Sequence, residues 1–334
     1  TAAGKKGAYR DLFYSETPLT QEVILAVCAN EKSGIFGEQN WWFNARSYGL
    51  CWSLVRSFVH TYLKQDGTPF TAAADYAVKS FAEEMEGRDL RLEQTVRGRN
   101  FLWDGKTAVA DIKNLSLTGY QVIKYTLDES KYDGGAKNIN SIPLIRYAEV
   151  LLNYAEAKAE LGEFSETVWN ATIKLLRERA GVDGAMPSAY DPYMAEYFLN
   201  TTTDMAILEI RRERGIELLL ENCRWDDDMR WGMGRLLERP WYGVYVGELG
   251  KVYDMDGDGS GDVCFVRENP PVTEPGVTYR VLGGDYALTD GDSGYIECYI
   301  RMNRKWDDKK YVRPIPTTAL NDNPALGQNP GWKK

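Results

Sequence analysis

Residues 142–157 read Ile142-Pro143-Leu144-Ile145-Arg146-Tyr147-Ala148-Glu149-Val150-Leu151-Leu152-Asn153-Tyr154-Ala155-Glu156-Ala157, and this run decides the fold. Tyr147, Leu151, Tyr154 with Ala155, and Lys158 recur at three- and four-residue spacing, which predicts a helix over 144–161. Pro143 suits a helix start, where its missing N–H costs nothing, and Gly162 suits the stop. A second helix is predicted over 166–179, ended by Gly181. With so short a turn between them, the two should pack antiparallel as a helical hairpin. Ala155, Ala157 and Ala159 permit close approach, as in tetratricopeptide-type repeats. A second pair is predicted over 205–222, capped by Asp204, and over 225–237, with Asp226, Asp227 and Asp228 favoured by the helix dipole. Residues 143–237 are therefore the expected helical heart.

The flanks read differently. Residues 1–142 are loop-rich and aromatic. Helices are expected over 51–63 and 72–85, a short helix or strand over 19–30, and short strands over 107–113 and 120–125. Residues 238–332 are rich in Gly, Pro and Asp, with a strand expected over 295–302. The proline-rich end, 312–332, is expected to wrap on the helices, because Ile315, Leu320, Leu326 and Trp332 would otherwise be stranded in water.

Composition narrows the function. The 334 residues suffice for a sizeable core, and 43% hydrophobic with 27% charged residues is ordinary for a folded domain. A net charge of -9 argues against nucleic acid, whose phosphates need a basic face. The single histidine, His60, removes any multi-imidazole metal centre and reads as a helix-face residue without catalytic work. The five cysteines show no zinc spacing and read as buried free thiols. No apolar run of about 20 residues exists to span a membrane.

Five segments, in order, resemble the SusD/RagB family of outer-membrane nutrient-binding lipoproteins of Bacteroidetes. Residues 142–157 match its "P-x-x-R-Y-A-E-V-L-L-x-Y-A-E-A" helix, and Leu176-Arg177-Glu178-Arg179-Ala180-Gly181 its "L-R-x-R-A-G". Ile210-Arg211-Arg212-Glu213-Arg214-Gly215-Ile216-Glu217-Leu218 is similar to "I-x-x-E-R-x-I-E-L". Arg313-Pro314-Ile315-Pro316, with Gln328-Asn329-Pro330-Gly331, resembles the family ending, and Gly87-Arg88-Asp89-Leu90-Arg91-Leu92 resembles "N-R-D-P-R-L". The resemblance implies a mostly α fold of tetratricopeptide-like hairpins carrying a loop-rich, few-stranded ligand-binding part. Residues 1–332 would be the C-terminal part of one such domain, the family's longer N-terminal part and its lipid-bearing cysteine being absent from this sequence. The implied function is non-catalytic binding of oligosaccharide at the cell surface and its delivery to a SusC-like TonB-dependent transporter, with the protein held on the outer membrane by an N-terminal lipid anchor. A peptide ligand, or a scaffold whose partner is the transporter itself, are the alternatives, and a glycoside hydrolase is a third.

Three groups of residues are candidate sites. Trp41, Trp42, Asn44, Arg46 and Tyr48 combine flat rings with planar amide and guanidinium donors, the make-up of a sugar platform; Trp241 and Tyr245 form a second aromatic group. Asp254-Met255-Asp256-Gly257-Asp258-Gly259-Ser260-Gly261-Asp262 alternates carboxylates about glycines, which lets one loop wrap a hard cation such as calcium. Asp254, Asp256, Asp258 and Asp262, with the Ser260 carbonyl, are its candidate ligands, in a structural role. The twelfth-position Glu of an EF-hand is Phe265 here, so the loop is closer to the short calcium loops of integrin-type propellers. Glu149, Glu156, Glu209 and Glu217, with Arg212 and Arg214, read as Arg–Glu pairs tying helices together rather than as a catalytic site.

Overall fold

A computed structural model describes residues 7–45 and 50–332. The chain divides into two compact units: Thr1–Glu217 with Pro240–Ile300, and Leu218–Arg239 with Arg301–Lys334.

The first unit holds short helices α1 (Asp11–Tyr14), α2 (Gln39–Asn44), α3 (Arg56–Val59), α4 (Phe81–Met85) and α5 (Leu90–Thr95). The longer run follows: α6 (Tyr147–Glu160), α7 (Glu166–Ala171), α8 (Ile173–Arg179), α9 (Pro192–Tyr197) and α10 (Met205–Glu217). Helix α6 packs against α7, α8 and α10 around Ala155, Trp169, Ile173 and Ile210, so the expected hairpin forms. Gly162 and Gly181 take φ near +70°, the left-handed conformation that ends a helix and that glycine adopts without strain. Asp204 caps α10 by accepting from Ile207 N at 3.1 Å.

Several boundaries differ from expectation. Pro143 lies in a strand: β4 (Ile142–Arg146) pairs antiparallel with β1 (Val23–Val27), and α6 begins only at Tyr147, whose N–H bonds Glu22 O. A two-stranded ladder tolerates a residue without N–H. The 166–179 helix breaks at Thr172, with φ −132° and ψ −90°. Residues 51–63 are helical only over α3, because Leu54 N bonds Tyr120 O and Val122 N bonds Trp52 O, drawing the preceding residues into an extended pairing. Over 72–85 the helix starts at Phe81, where Ser80 and Glu83 make a reciprocal capping box. Tyr76 and Ala77 instead give their carbonyls to the Arg56 guanidinium. Residues 120–125 are buried but make single bridges, Ser53 to Gln121 and Val96 to Val122, and turn at Lys124 and Tyr125 instead of forming a strand.

The remaining strands of the first unit are β2 (Leu102–Trp103) with β3 (Lys106–Thr107), β5 (Trp241–Val246), β6 (Val252–Tyr253), β7 (Val263–Val266), β8 (Thr278–Val281), β9 (Tyr286–Leu288) and β10 (Gly294–Cys298). They form a hairpin β2-β3 and two three-stranded sheets, β5-β10-β9 and β6-β7-β8, the β7-β8 pair being parallel. The strand content after residue 240 exceeds the one strand foreseen there.

Buried charge holds the helices in place. Glu209, Glu213 and Glu217 repeat every four residues along one face of α10. Arg91 bonds Glu213 (2.5 Å) and Glu217 (2.9 Å), and Arg146 bonds Glu217 (2.8 Å) and Glu22 (2.5 Å). Arg179 bonds Glu217 (2.5 Å) and Glu22, Arg177 bonds Glu209 and Glu213, and Arg212 bonds Asp191 and Glu209. Burial pushes the Glu217 carboxyl up, but the guanidiniums of Arg179, Arg146 and Arg91 outweigh it and hold it well below the usual carboxylate range. These acids are structural cross-links.

In the second unit, α11 (Arg224–Arg230) and α12 (Thr317–Asp322) accompany a tail folded upon itself. Gln328 exchanges hydrogen bonds with both backbone groups of Ile315, and Trp332 Nε1 donates to Val312 O at 2.8 Å. Leu326 stays exposed, contrary to the expectation that the tail buries it. The thiols are also less buried than expected: only Cys264 and Cys298 are enclosed.

Candidate ligand-binding cleft

Asn40 is fully buried within α2. Its amide donates to Leu127 O (2.8 Å) and Asp133 (3.1 Å), while its oxygen accepts from Leu127 N and the Asn138 amide (both 2.7 Å). Asn138 donates onward to Asn140, which bonds Phe13 O and Tyr125 O. A buried amide with both its groups paired fixes the chain around it. Asn40 thereby sets the direction of its helix neighbours Trp41 and Asn44, which face an open cleft of about 1350 Å³. Asn44 donates to Asp133, and burial pushes that carboxyl upward.

The next wall comes from residues 97–115. Asp104 and Gly105 both take positive φ (49° and 74°) and close the β2-β3 turn, presenting Trp103 to the cleft. Phe101 stacks on Trp103 with ring centres 6.1 Å apart, and the Arg97 guanidinium stands 4.9 Å from the Phe101 ring while its Nε–H bonds Ala108 O. Asp111, Lys113 and Asn114 extend this wall. Asn269, just after β7, and Tyr279, on β8, also line the cleft.

The acidic loop joins β6 to β7 and forms part of the rim: Asp256, Asp258 and Asp262 line the cleft. Asp254 accepts from Gly257 N and Gly259 N, Asp258 from Ser260 N (2.7 Å), and Asp262 from Met255 N (2.7 Å). Asp254, Asp256 and Asp262 place carboxylate oxygens within 4.8 Å of one another. Oxygens bound to one calcium at about 2.4 Å are at most about 4.8 Å apart, so these three fit a shared ion. Burial, together with neighbouring aspartates, pushes the Asp256 and Asp262 carboxyls up. A cation would remove that repulsion.

The structure thus brings Trp41 and Asn44 into one cleft with Asp256, Asp258 and Asp262. Trp42 packs edge-on against Trp41 (5.2 Å) and points its indole N–H to Glu38, outside the lining. Trp241 and Tyr245 lie on β5 against Tyr299 and Tyr295, also outside it. Asp258 falls outside the converging trio of carboxylates. Arg46 and Tyr48 lie outside the described residues. Trp103, Arg97, Asp133 and Tyr279 were not foreseen as lining residues; the Asp104-Gly105 pair between short strand-formers was the available signal for Trp103. His60, expected within a helix, caps α3 and stands buried 2.7 Å from Glu84, away from the cleft lining.

The model of the SusD family matches residues 21–332, and the chain belongs to that family. A SusD-like protein of Bacteroides fragilis matches over 99% of this chain and 59% of its own, with a TM-score of 0.62 at 20% identity. A SusD-like carbohydrate binding protein of Bacteroides fragilis matches over 98% and 58%, with a TM-score of 0.60 at 21% identity. These likenesses establish the SusD-like fold, and the chain spans under three-fifths of either solved relative. No curated protein matches by sequence. Among the described residues no helix is long and apolar enough to cross a membrane.

Proposed function

We propose that this protein binds oligosaccharide without cleaving it, in the cleft between Trp41 and Trp103. The observation that carries this reading is the lining itself. Two indoles stand among planar amide and guanidinium donors, from Asn44, Asn114, Asn269 and Arg97, in a cavity of about 1350 Å³. That exceeds the ~300–1,000 Å³ of a drug-sized site and suits several sugar rings. Ring faces take the apolar faces of pyranoses, and amides take hydroxyls. A solved relative described as carbohydrate binding supports the same class.

Carboxylates outnumber cations in the lining, with Asp111, Asp133, Asp256, Asp258 and Asp262 against Arg97 and Lys113. The cleft therefore favours neutral glycans over sialylated, sulfated or uronate-rich ones. Calcium held by Asp254, Asp256 and Asp262 would stiffen the rim, in a structural role. Family membership supports a place on the outer membrane as a lipoprotein, delivery of the ligand to a SusC-like transporter, and a tetratricopeptide-like helical frame.

The test is calorimetry of the purified chain against neutral and anionic oligosaccharides. Trp103→Ala and Trp41→Ala should each weaken binding about tenfold or more, and Trp241→Ala should leave it unchanged. Binding that survives both cleft substitutions would move the site elsewhere. Release of shorter sugars on incubation would make the protein a hydrolase. Absence of binding across glycans and peptides, with uptake still dependent on the protein, would make it a docking scaffold.

A further inference from the structure

The cleft carries more negative charge than a neutral sugar can use. Its carboxylates, Asp111 and Asp133 on the walls and three more on the rim, outnumber its cations, Arg97 and Lys113. Asp133 is the one held most firmly toward an incoming ligand. Its Oδ1 accepts from the Asn40 amide at 3.1 Å and from the Asn44 amide at 3.3 Å, which fixes the carboxylate's direction, and no described group is bonded to its Oδ2. Asn40 is itself fully buried and locked by Leu127 and Asn138, so the core sets this orientation. Trp41 and Asn44 lie one turn apart on α2 and both line the cleft, so an indole stands on the same side of the helix as the amide that Asp133 accepts from.

Arg97 does not neutralise this carboxylate. Its Nε–H goes to Ala108 O, and its guanidinium lies 4.9 Å from the Phe101 ring and 5.9 Å from that of Trp103. Its pull on the Asp133 carboxyl is weaker than the opposing push of burial and of Asp104. A carboxylate held from behind by neutral amides, with an indole nearby, suits a compact cation. The cation gains a charge-assisted hydrogen bond from the one and the negative ring face of the other. A hydroxyl gains only the weaker, neutral form of the first contact.

We propose that the oligosaccharides this cleft prefers carry a free amine: hexosamines whose ammonium group bonds Asp133 Oδ2 beside Trp41. This names the sugar class within the oligosaccharide reading given above and rests on it. N-acetylation removes the charge and so the preference, while uronate and sulfate groups are repelled by the same carboxylates. Calcium on Asp254, Asp256 and Asp262 would leave Asp133 untouched, so the preference holds with calcium present.

Calorimetry in calcium-containing buffer, at about pH 6 so that the sugar amine is protonated, compares β-1,4 oligomers of equal length built from glucosamine, N-acetylglucosamine and glucose. The glucosamine oligomer should bind about tenfold or more tighter than either neutral one, and that ratio should shrink as salt rises from about 0.05 M to about 0.5 M. Asp133→Asn keeps the oxygen that Asn40 and Asn44 bond and removes the charge. It should bring the ratio to about one without lowering Tm by more than about 2 °C. Should the variant lose all sugar binding, the wild-type ratio and its salt dependence decide. A wild-type ratio near one, or a ratio that Asp133→Asn leaves unchanged, overturns the proposal and leaves the cleft as an oligosaccharide site. Failure of all three oligomers to bind also overturns it; the cleft reading falls as well only if Trp41→Ala and Trp103→Ala leave the binding of every other oligosaccharide unaltered. Binding of a lysine-containing peptide in preference to every sugar would give the ammonium site to peptides and overturn the hexosamine assignment.

Discussion

Replacing Glu217 by glutamine removes a carboxylate that three buried guanidiniums share while preserving its shape. Arg91, Arg146 and Arg179 approach Glu217 at 2.9, 2.8 and 2.5 Å, and all four side chains are buried. Removing one member of such a cluster leaves charge uncompensated in a poorly solvating place and costs about 3–5 kcal/mol. At about 2.1 cal/mol/K of unfolding entropy per residue, a chain of 334 residues has a slope near 0.7 kcal/mol per kelvin, so Tm should fall by about 4–7 °C. The sign with pH follows from the depressed Glu217 carboxyl. A lowered carboxylate contributes its full stability above its unfolded value of about 4.3, and loses that contribution as pH falls toward the folded value. The gap between wild type and Glu217→Gln should therefore be constant from pH 8 to pH 5 and narrow below about pH 4. Scanning calorimetry across that range measures it. Asp75→Asn, which breaks an exposed pair with Lys79, is the control and should move Tm by no more than about 1 °C. A loss under about 1 kcal/mol, or a gap that stays constant down to pH 2, would refute the view that this cluster clamps the helices.

Other consequences are equally checkable. Asn40→Ala strips partners from Leu127 and Asn138 in a buried place, costing about 1–3 kcal/mol, and should also weaken sugar binding because Trp41 and Asn44 lose their anchor; calorimetric melting and titration read the two effects separately. Calcium at a hundredfold excess over its Kd should add about 2.7 kcal/mol, some 4 °C in Tm, and Asp256→Asn should abolish the gain. Because the Asp256 and Asp262 carboxyls are raised, the ion-free protein should lose stability as pH climbs through the carboxylate range, and calcium should flatten that slope. Burial lowers the His60 imidazole below its usual value of about 6.5, against the pull of Glu84 and with Arg56 and Arg88 adding to the drop. As the sole histidine, its ring protons can be followed by NMR and should titrate below pH 6.5, while stability declines as pH falls through that region.

The sequence by itself determined the family and the helical centre, because those rest on local spacing. Glu209 and Glu217 lie two turns apart on one helix and were legible there as partners of arginines, whereas which arginines meet them, from as far away as Arg91 and Arg146, was not. The acidic loop was legible for the same reason, its carboxylates lying within nine consecutive residues. Tertiary structure alone decided the rest. Periodicity over 51–63 spoke for helix, but hydrogen bonds from residues near 120 took part of that segment for extended pairing. Pro143 looked like a helix start until β1, more than a hundred residues earlier, claimed it for a strand. Trp41 and Trp103 share a cleft only because a buried amide cluster and a two-residue turn, distant in sequence, aim them at the same space. Helical signals are written in residues three or four apart, whereas strands and clefts are made by groups that only folding brings together.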